Sequence, residues 1–184
     1  MKLKLTLLLC VLLVSIGCAR MGSSFIKMRP DYTQVPEVEL RAAAAALEKA
    51  AIQGEQEPNL DGFAGVVLDT PEIAQAIRTR ALRASLFADL VESGHVYEQK
   101  NGTIKIINSR EYKRVASSKE RDRNAVLVMS ENQNRWTLYE GVVEASQWSP
   151  GALAAVQHCF YEARVALMKA GGKYEDEQGN IVVK

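Results

Sequence analysis

Glycine and proline divide residues 37–172 into four segments with helical character, and this division constrains the fold more than any other feature of the sequence. The first segment begins near Glu37 and ends at Gly54, a residue type that is common just after a helix. The alanines at positions 42–46 favour a helix, because alanine has the highest helix propensity. Apolar residues of this segment also recur with the spacing of one helix face: Leu40, Ala44, Leu47 and Ala51.

The second segment opens with Thr70-Pro71-Glu72, which combines a capping side chain, a proline at the first helical position and an acid in the first turn. This helix is predicted to run to about Ser93, just before Gly94. Leucines at positions 82, 86 and 90 widen its apolar face. We therefore expect the helix to be covered on two sides.

Two further long helices are predicted in the second half of the chain. One runs from about Ser118 to Ser146, and Ser109 marks the start of a shorter helix before it. The last helix starts at Ser149-Pro150 and ends at Gly171-Gly172. In the helix from Ser118, the residues expected to point inward are Val126, Met129, Tyr139 and Val143.

Short β-structure is predicted between and after the helices. Asn101-Gly102 stands between β-prone flanks, which is the strongest short signal for a hairpin. Residues 63–68 are expected to form a short apolar strand, and residues 174–183 a second hairpin. The sequence therefore predicts a mainly α fold, a single small domain at residues 37–184 with about four helices and short β-hairpins.

The start of the chain resembles a bacterial lipoprotein signal. Two lysines precede an apolar core from Leu5 to Ile16, and Gly17 stands immediately before Cys18. The resemblance implies removal of residues 1–17 and acylation of Cys18, which would hold the protein on a membrane. The apolar core is shorter than the roughly 20 residues that a transmembrane helix needs. Secretion to the periplasm without a lipid is the alternative.

Residues 18–36 are expected to carry the lipid and to form a flexible tether. Gly22-Ser23-Ser24 is flexible, and Pro30 and Pro36 discourage regular structure. Ala19 follows the lipidated cysteine, where an aspartate usually causes retention of Gram-negative lipoproteins at the inner membrane. By this resemblance, Ala19 indicates the outer membrane, with the folded part facing the periplasm.

Composition and motifs argue against several classes of function. The formal net charge is +1, and loss of Lys2 and Lys4 with the signal would make it −1, which argues against nucleic-acid binding. The sequence contains no Gly-x-Ser-x-Gly elbow, phosphate loop or Cys-x-x-Cys motif. His158 and Cys159 lie about 100° apart on a helix and do not converge on a metal. We expect a protein without enzymatic activity, metal or cofactor, in which Cys159 is buried and inert.

Two parts of the chain follow a similar order of elements, which suggests an internal duplication. In each part a helix ends at a glycine, an Asp-Gly or Asn-Gly pair follows, and a short apolar segment leads into the next helix. The two units would span about residues 37–93 and 71–184, and so would overlap.

The second unit carries three short motifs in a fixed order. The helix motif is Asn132, Arg135 and Tyr139, and the tail motif is Gly172-Lys173-Tyr174 with Gly179. The first motif, in the hairpin region, comprises Gly94, Val96, Glu98, Asn101 and Gly102.

In these motifs the chain resembles the YdbL-like family of bacterial envelope proteins, whose function is poorly known. Tyr97 and Ile181 stand where the family usually has a glycine and a tryptophan. In the preceding unit the helix-motif positions hold Arg80, Arg83 and Phe87, so only the arginine is kept. The resemblance implies a periplasm-facing helical accessory protein, associated with envelope assembly or lipid transfer, and no enzymatic activity.

The motif residues form the candidate site. Asn132, Arg135 and Tyr139 are spaced to share one helix face. We expect Arg135 to bridge to Glu98, with Asn101-Gly102 supplying the tight turn between them. The favoured interpretation is a structural clamp that joins the hairpin to the helix, and the alternative is a polar recognition patch.

Three functions follow from these observations. The first is a non-enzymatic outer-membrane lipoprotein that acts as an adaptor or chaperone-like accessory for an envelope protein partner. The second is binding of a lipid or other apolar ligand between helices, in a cavity bounded by Leu82, Leu86, Val126, Phe160 and Leu167. The third and weakest is an enzyme acting on envelope polymers, which would need a cleft that brings His95 and Glu98 together.

Overall fold

The computed structural model describes residues 29–184. The predicted signal, Cys18 and most of the tether lie outside these residues. Six α-helices and four short strands form in the described part of the chain. In chain order the elements are α1 (Glu37–Gln53), α2 (Pro71–Leu82), α3 (Ala84–Glu92), β1 (Val96–Glu98), β2 (Ile104–Ile106), α4 (Arg110–Val115), α5 (Ser118–Ala145), a 3-10 helix (Pro150–Ala152), α6 (Leu153–Leu167), β3 (Lys173–Glu175) and β4 (Ile181–Val183).

The helix starts predicted at Thr70 and Ser109 form as expected. The Thr70 side chain accepts a hydrogen bond from the backbone N–H of Ile73, and Ser109 caps α4 in the same way. Ser117 and Glu120 form a reciprocal capping box at the start of α5. The mainly helical class with short β-structure is thus confirmed, although six helices exceed the expected four.

Part of the excess comes from the predicted helix between Pro71 and Ser93, which is two helices. The backbone leaves helical geometry at Arg83, where φ is −103° and ψ is 6°. The last helix also ends earlier than predicted, at Leu167, because Met168 is extended. Residues of α3 and residues 168–172 line the same pocket.

Residues 63–68 do not form the predicted strand. Gly65 has a φ of +78°, and the Val66 N–H donates to the carbonyl of Phe63, so the run turns on itself. The β1–β2 hairpin therefore has no counterpart between α1 and α2 in the described structure. Both units of the suggested duplication contain helices, but in the described structure only the second unit contains strands.

The two predicted hairpins join into one four-stranded sheet with strand order β2-β1-β3-β4. Both hairpins are antiparallel, and the junction is parallel, with Glu98 of β1 opposite Tyr174 of β3. The Asn-Gly turn forms as expected, and Gly102 has a φ of +81°. Since β1 is an inner strand, its residue Glu98 is held from both sides.

The main core lies between α1, α2, α5 and α6. At its centre α2 and α5 approach so closely that a Cβ on Gly141 would lie 2.9 Å from Cγ1 of Ile73. Tyr32 and Val35 also pack against this core, so the folded part begins before Glu37. A second, smaller core joins α3, the sheet and α5 through Leu90, Val96, Ile104 and Val128.

Several residues predicted to be inside are exposed. Val126 and Met129 of α5 are 66% and 71% exposed, whereas Tyr139 and Val143 are buried as predicted. The expectation for the second helical segment is also wrong, because Leu82 and Leu86 are 67% and 56% exposed and only one side is covered. Val126 and Met129 are exposed because the main core reaches only the second half of the 28-residue helix α5. No helix in residues 29–184 is both long and apolar enough to cross a membrane.

Candidate functional site

The expected ion pair between Arg135 and Glu98 is present and buried. Nη1 and Nη2 of Arg135 donate to the two carboxylate oxygens of Glu98 at 2.7 and 2.9 Å. The Arg135 residue is completely buried and Glu98 is 4% exposed. Such a two-pronged contact fixes both the distance and the angle between the groups. It attaches the inner strand β1 to α5.

The turn between β1 and β2 is fastened to the same helix. The Tyr139 hydroxyl donates to the carbonyl of Gly102 at 2.8 Å, and Arg135 Nη1 donates to the same oxygen at 3.3 Å. Asn101 shapes the turn, because its Oδ1 accepts from the backbone N–H and the hydroxyl of Thr103. The turn is therefore held both by its own hydrogen bonds and by hydrogen bonds from α5.

Asn132 completes the attachment at strand β2. Its side-chain amide donates to the carbonyl of Ile104 at 2.9 Å and accepts from the Ile104 N–H at 2.8 Å. β2 is an edge strand of the sheet, so the amide supplies the hydrogen bonds of a missing neighbour. The structure thus brings all six candidate residues into one contact region, as the clamp interpretation expects.

The Arg135–Glu98 pair belongs to a closed chain of six alternating charges, here called the ion-pair ring. Arg135 Nε also donates to Glu131 Oε1 at 2.7 Å, and Arg80 Nε donates to the same oxygen at 2.9 Å. Arg80 then binds both oxygens of Glu48, at 3.2 and 2.7 Å. The full ring, in order of contact, is Glu98, Arg135, Glu131, Arg80, Glu48 and Arg164.

Arg164 closes the ring. Its Nη1 donates to Glu48 Oε1 at 2.7 Å, and its Nε donates to Glu98 Oε2 at 2.9 Å. Its Nη2 donates to the Gly102 carbonyl at 2.9 Å, which ties the hairpin turn into the ring. The six residues come from α1, α2, β1, α5 and α6. The ring therefore connects five elements of the domain.

Because the ring is buried, each of its charges needs a partner of opposite sign. All six residues are 6% exposed or less, and a buried charge without a partner costs several kcal/mol. Burial alone would raise the pKa of Glu131, but the charges of Arg80 and Arg135 outweigh it and lower that pKa to about 2. The pKa of Glu48 is lowered in the same way by Arg80 and Arg164. Three positive and three negative charges balance within the ring.

Four ring members are not predicted as functional residues by the motifs: Glu48, Arg80, Glu131 and Arg164. A signal for them exists in the helical periodicity. Glu48 and Arg164 each stand four residues after an apolar residue of a buried face, Ala44 and Phe160. A charged residue at a core position of an amphipathic helix needs a buried partner. Periodicity alone does not say which partner it finds.

A pocket of about 490 Å³ opens directly over the ion-pair ring and is called the ring pocket here. All six ring residues line it, and together they form a charged floor. Its walls come from Ala51 and Ile52 of α1, from one side of α3, and from the end of α6 with the segment that follows it, residues 167–172. The α3 wall contains Ala84, Phe87, Ala88 and Val91.

The ring pocket is not the cavity predicted from sequence. Of the five predicted lining residues only Leu167 contributes to it. Leu82, Leu86 and Val126 are exposed and Phe160 is fully buried in the main core. The prediction failed because it assigned exposed leucines to the interior. The space lies instead where α3 and the α6–β3 connection stand apart above the ring.

The structure does not bring His95 and Glu98 together. Glu98 is in the ring, whereas the His95 ring packs at a tilt against Tyr112 and lines a separate groove of about 360 Å³ between α3, α4 and α5. Residues 29–184 contain no group of three or more side chains placed to hold a metal ion. Cys159 is buried, and its burial raises the pKa of the thiol, which makes it less reactive.

No protein-family model matches this chain, and no curated protein or solved structure is significantly similar to it. The resemblance to the YdbL-like family therefore stays a prediction that rests on its short motifs.

Proposed function

We propose that the protein is a non-enzymatic binding protein of the bacterial envelope, and that it holds a lipid or other apolar ligand between its helices in the ring pocket. The observation that carries this proposal is the pocket itself. Its volume of about 490 Å³ lies within the range of roughly 300–1,000 Å³ that is typical of small-molecule sites. Apolar walls together with convergent polar groups are also typical of such sites.

The walls contain apolar residues that other parts of the protein leave uncovered. Ile52 of α1 is 57% exposed and Leu167 of α6 is 40% exposed, and both line the pocket. Phe87 also lines the pocket, with its aromatic ring 5.6 Å from the guanidinium of Arg135. An apolar chain in this space would remove these side chains from water, which is favourable in proportion to the area buried.

The ion pairing within the ring supports a binding role over a catalytic one. Glu98 is bound by two arginines, and the lowered pKa of Glu131 keeps it ionised. A general acid or base needs a pKa near the working pH, and Glu131 is far from that condition. The ring instead supplies a fixed polar floor.

A tryptophan that fills the pocket tests the proposal. Ala88 is exposed on the pocket wall, so Ala88→Trp should fold and should block the space. Met129→Trp is the matched control, because Met129 is 71% exposed and outside the pocket. We expect the first variant, and not the second, to lose binding of a fluorescent single-chain lipid. Equal binding by Ala88→Trp and the wild type would refute the proposal.

A second candidate function is that of an adaptor for another envelope protein. The supporting observation is the group of exposed apolar residues on α2, α3 and α5, which includes Leu82, Leu86 and Val126. Leu86 also lines the groove between α3 and α4. Exposed apolar surface of this kind is typical of protein contact sites. This surface is separate from the ring pocket, so the two functions are compatible.

Crosslinking in intact cells tests the adaptor function. We expect a reproducible envelope-protein partner that is lost in Leu86→Lys. Val38→Lys serves as the control, because Val38 is 78% exposed on α1, outside this group. A partner retained equally by both variants would contradict docking at this surface.

The location of the protein is part of the proposal. A lipid on Cys18 would hold the domain at the outer membrane, facing the periplasm, and secretion to the periplasm without lipid is the alternative. Cys18→Ala is expected to release the protein to the soluble fraction. If that variant stays on membranes as firmly as the wild type, the lipid anchor is wrong.

An internal duplication is also proposed, with support from the ion-pair ring. Arg80 of the first unit binds both oxygens of Glu48, as Arg135 of the second unit binds both oxygens of Glu98. The motif alignment, however, pairs Arg135 with Arg83. Arg83 lies outside the ring and donates to Ser130. The correspondence is thus one of arrangement and not of aligned positions.

A further inference from the structure

The ion-pair ring does not use all of its hydrogen-bond donors. Three guanidiniums carry fifteen N–H groups, and ten hydrogen bonds from them are formed within residues 29–184. The unused N–H groups belong mainly to Arg80 and Arg164, which each make three bonds. Both arginines line the ring pocket. Guanidinium groups with spare N–H groups therefore border the space that an oxygen-rich group would enter.

The same floor offers one free acceptor. Glu131 Oε1 receives both Arg80 and Arg135, whereas Oε2 accepts no hydrogen bond from the described residues. Every fully buried side-chain nitrogen or oxygen in that part of the chain has a partner. Glu131 Oε2 is therefore accessible, and Glu131 is in the pocket floor. The floor thus presents arginine donors and a carboxylate oxygen side by side.

The charged residues that line the pocket cancel, and this favours a ligand without a net charge. The three arginines and three glutamates of the ring cancel, and at the rim Lys169 pairs with Glu92. A ligand with a net charge would bring that charge into a site with no surplus of the opposite sign, which is unfavourable. A head group that carries both signs avoids this cost and uses both kinds of floor group.

We propose that the ring pocket recognises a single-chain amphiphile with a zwitterionic head, composed of a phosphate and a primary ammonium. The phosphate oxygens accept from the unused N–H groups of Arg80 and Arg164, and the ammonium donates to Glu131 Oε2. The chain lies along Ile52, Phe87 and Leu167. This inference rests on the proposed function, because it names the ligand class of the same pocket.

Titration calorimetry with four amphiphiles of equal chain length tests the head-group assignment. The probes, kept below their micelle concentrations, are lysophosphatidylethanolamine, lysophosphatidylcholine, lysophosphatidylglycerol and a fatty alcohol. We expect the first to bind about tenfold more tightly than the others, since a charge-assisted hydrogen bond has roughly this effect. The choline head lacks N–H donors, the glycerol head leaves the ligand anionic, and the alcohol lacks both charges.

The variant Glu131→Gln tests the role of the free carboxylate. It preserves the size of the side chain but gives the ring a net positive charge, so the preference should move from lysophosphatidylethanolamine to lysophosphatidylglycerol. If this variant does not fold, the comparison of the four probes on the wild-type protein decides alone. Ala88→Trp serves as the blocked-pocket control and should bind none of them.

The outcomes separate the two levels of the proposal. Equal binding of all four probes, or tightest binding of the anionic one, overturns the zwitterionic assignment and leaves the ligand-binding function intact. Binding of none of them, including the fatty alcohol, refutes both. Tightest binding of lysophosphatidylethanolamine, lost in Ala88→Trp, supports both.

Discussion

Tyr139 and Gly102 meet in two ways at once. The Tyr139 hydroxyl donates to the Gly102 carbonyl at 2.8 Å. The phenol ring also fills the space beside the glycine, so that an added Cβ would lie 2.9 Å from Tyr139 Cε2. Tyr139 is fully buried and packs on Phe160, so its ring has no room to retreat. Helix α5 and the hairpin turn pack so closely at this contact that one additional methyl group on Gly102 would overlap Tyr139.

Gly102→Ala should therefore destabilise the protein for two reasons. A φ of +81° is unfavourable for alanine by roughly 1–2 kcal/mol, and the overlap with Tyr139 should add about 1–3 kcal/mol. Gly171→Ala is the control, because Gly171 has a φ of +90° but no atom near its Cβ position. We expect chemical denaturation to show a clearly larger loss for Gly102→Ala. Equal losses would mean that the phenol contact contributes nothing.

Asn132→Ala should loosen the hairpin at its edge. The change leaves the N–H and carbonyl of Ile104 without their partner, which costs about 1–3 kcal/mol when such groups are buried. Asn134→Ala is the control on the same helix, since Asn134 bonds only to the carbonyl of Ser130 within α5. Hydrogen exchange at the Ile104 amide should accelerate in the first variant alone. Unchanged exchange there would show that Asn132 does not hold the strand.

The sequence predicts the local elements of this fold well, because their signals are local. The caps at Thr70, Ser109 and Ser117 and the Asn101-Gly102 turn depend on neighbouring residues only. The Arg135–Glu98 pair was also predictable, since the two residues lie on consecutive motifs. Where prediction failed, as in the break at Arg83, the local pattern was compatible with a continuous helix.

The rest of the site depends on long-range packing. The parallel pairing of β1 with β3 joins Glu98 to Tyr174, and no local signal specifies it. Glu48 and Arg164 are far apart in sequence, and only the packing of α1 on α6 brings them to 2.7 Å. The pocket could not be predicted either, because it depends on where α6 ends. Periodicity shows that a charged residue faces the core but not what it meets there.

Acid should weaken the protein through the ion-pair ring. The pKa of Glu131 is about 2 in the folded protein, below its ordinary value of 4.5. A lowered pKa stabilises the fold above about pH 4.5, and this contribution is lost as the pH falls toward 2. For Glu131 it amounts to about 3 kcal/mol. Glu48, whose pKa is also lowered, acts in the same direction.

Urea denaturation at several pH values between 7 and 2 measures this effect. We expect the free energy of unfolding to decrease mainly below pH 4.5. Glu131→Gln lacks one of the titrating groups, so its stability should start lower and depend less on pH in this range. A wild-type protein that is equally stable at pH 5 and pH 2.5 would contradict the ionised ring.

Arg135→Met should be among the most damaging single changes in the domain. Methionine keeps much of the volume of the side chain but leaves Glu98 and Glu131 with one arginine fewer in a buried site. Removal of one partner from a buried ion pair costs about 3–5 kcal/mol. The control is Arg41→Met, because Arg41 pairs with Glu37 and Glu162 at the surface with 41% of its side chain exposed. That exposed pair should contribute only about 0–1 kcal/mol.

The same variant separates the clamp from the recognition patch. If Arg135 is a clamp, Arg135→Met lowers the melting temperature and makes the hairpin sensitive to protease, and any loss of binding follows from the loss of structure. If Arg135→Met melts and resists proteolysis like the wild type while lipid binding disappears, the clamp interpretation fails and Arg135 is a recognition residue. Five elements meet at the ion-pair ring, and no alternative cation in residues 29–184 is placed to contact both Glu98 and Glu131. We therefore expect the structural outcome.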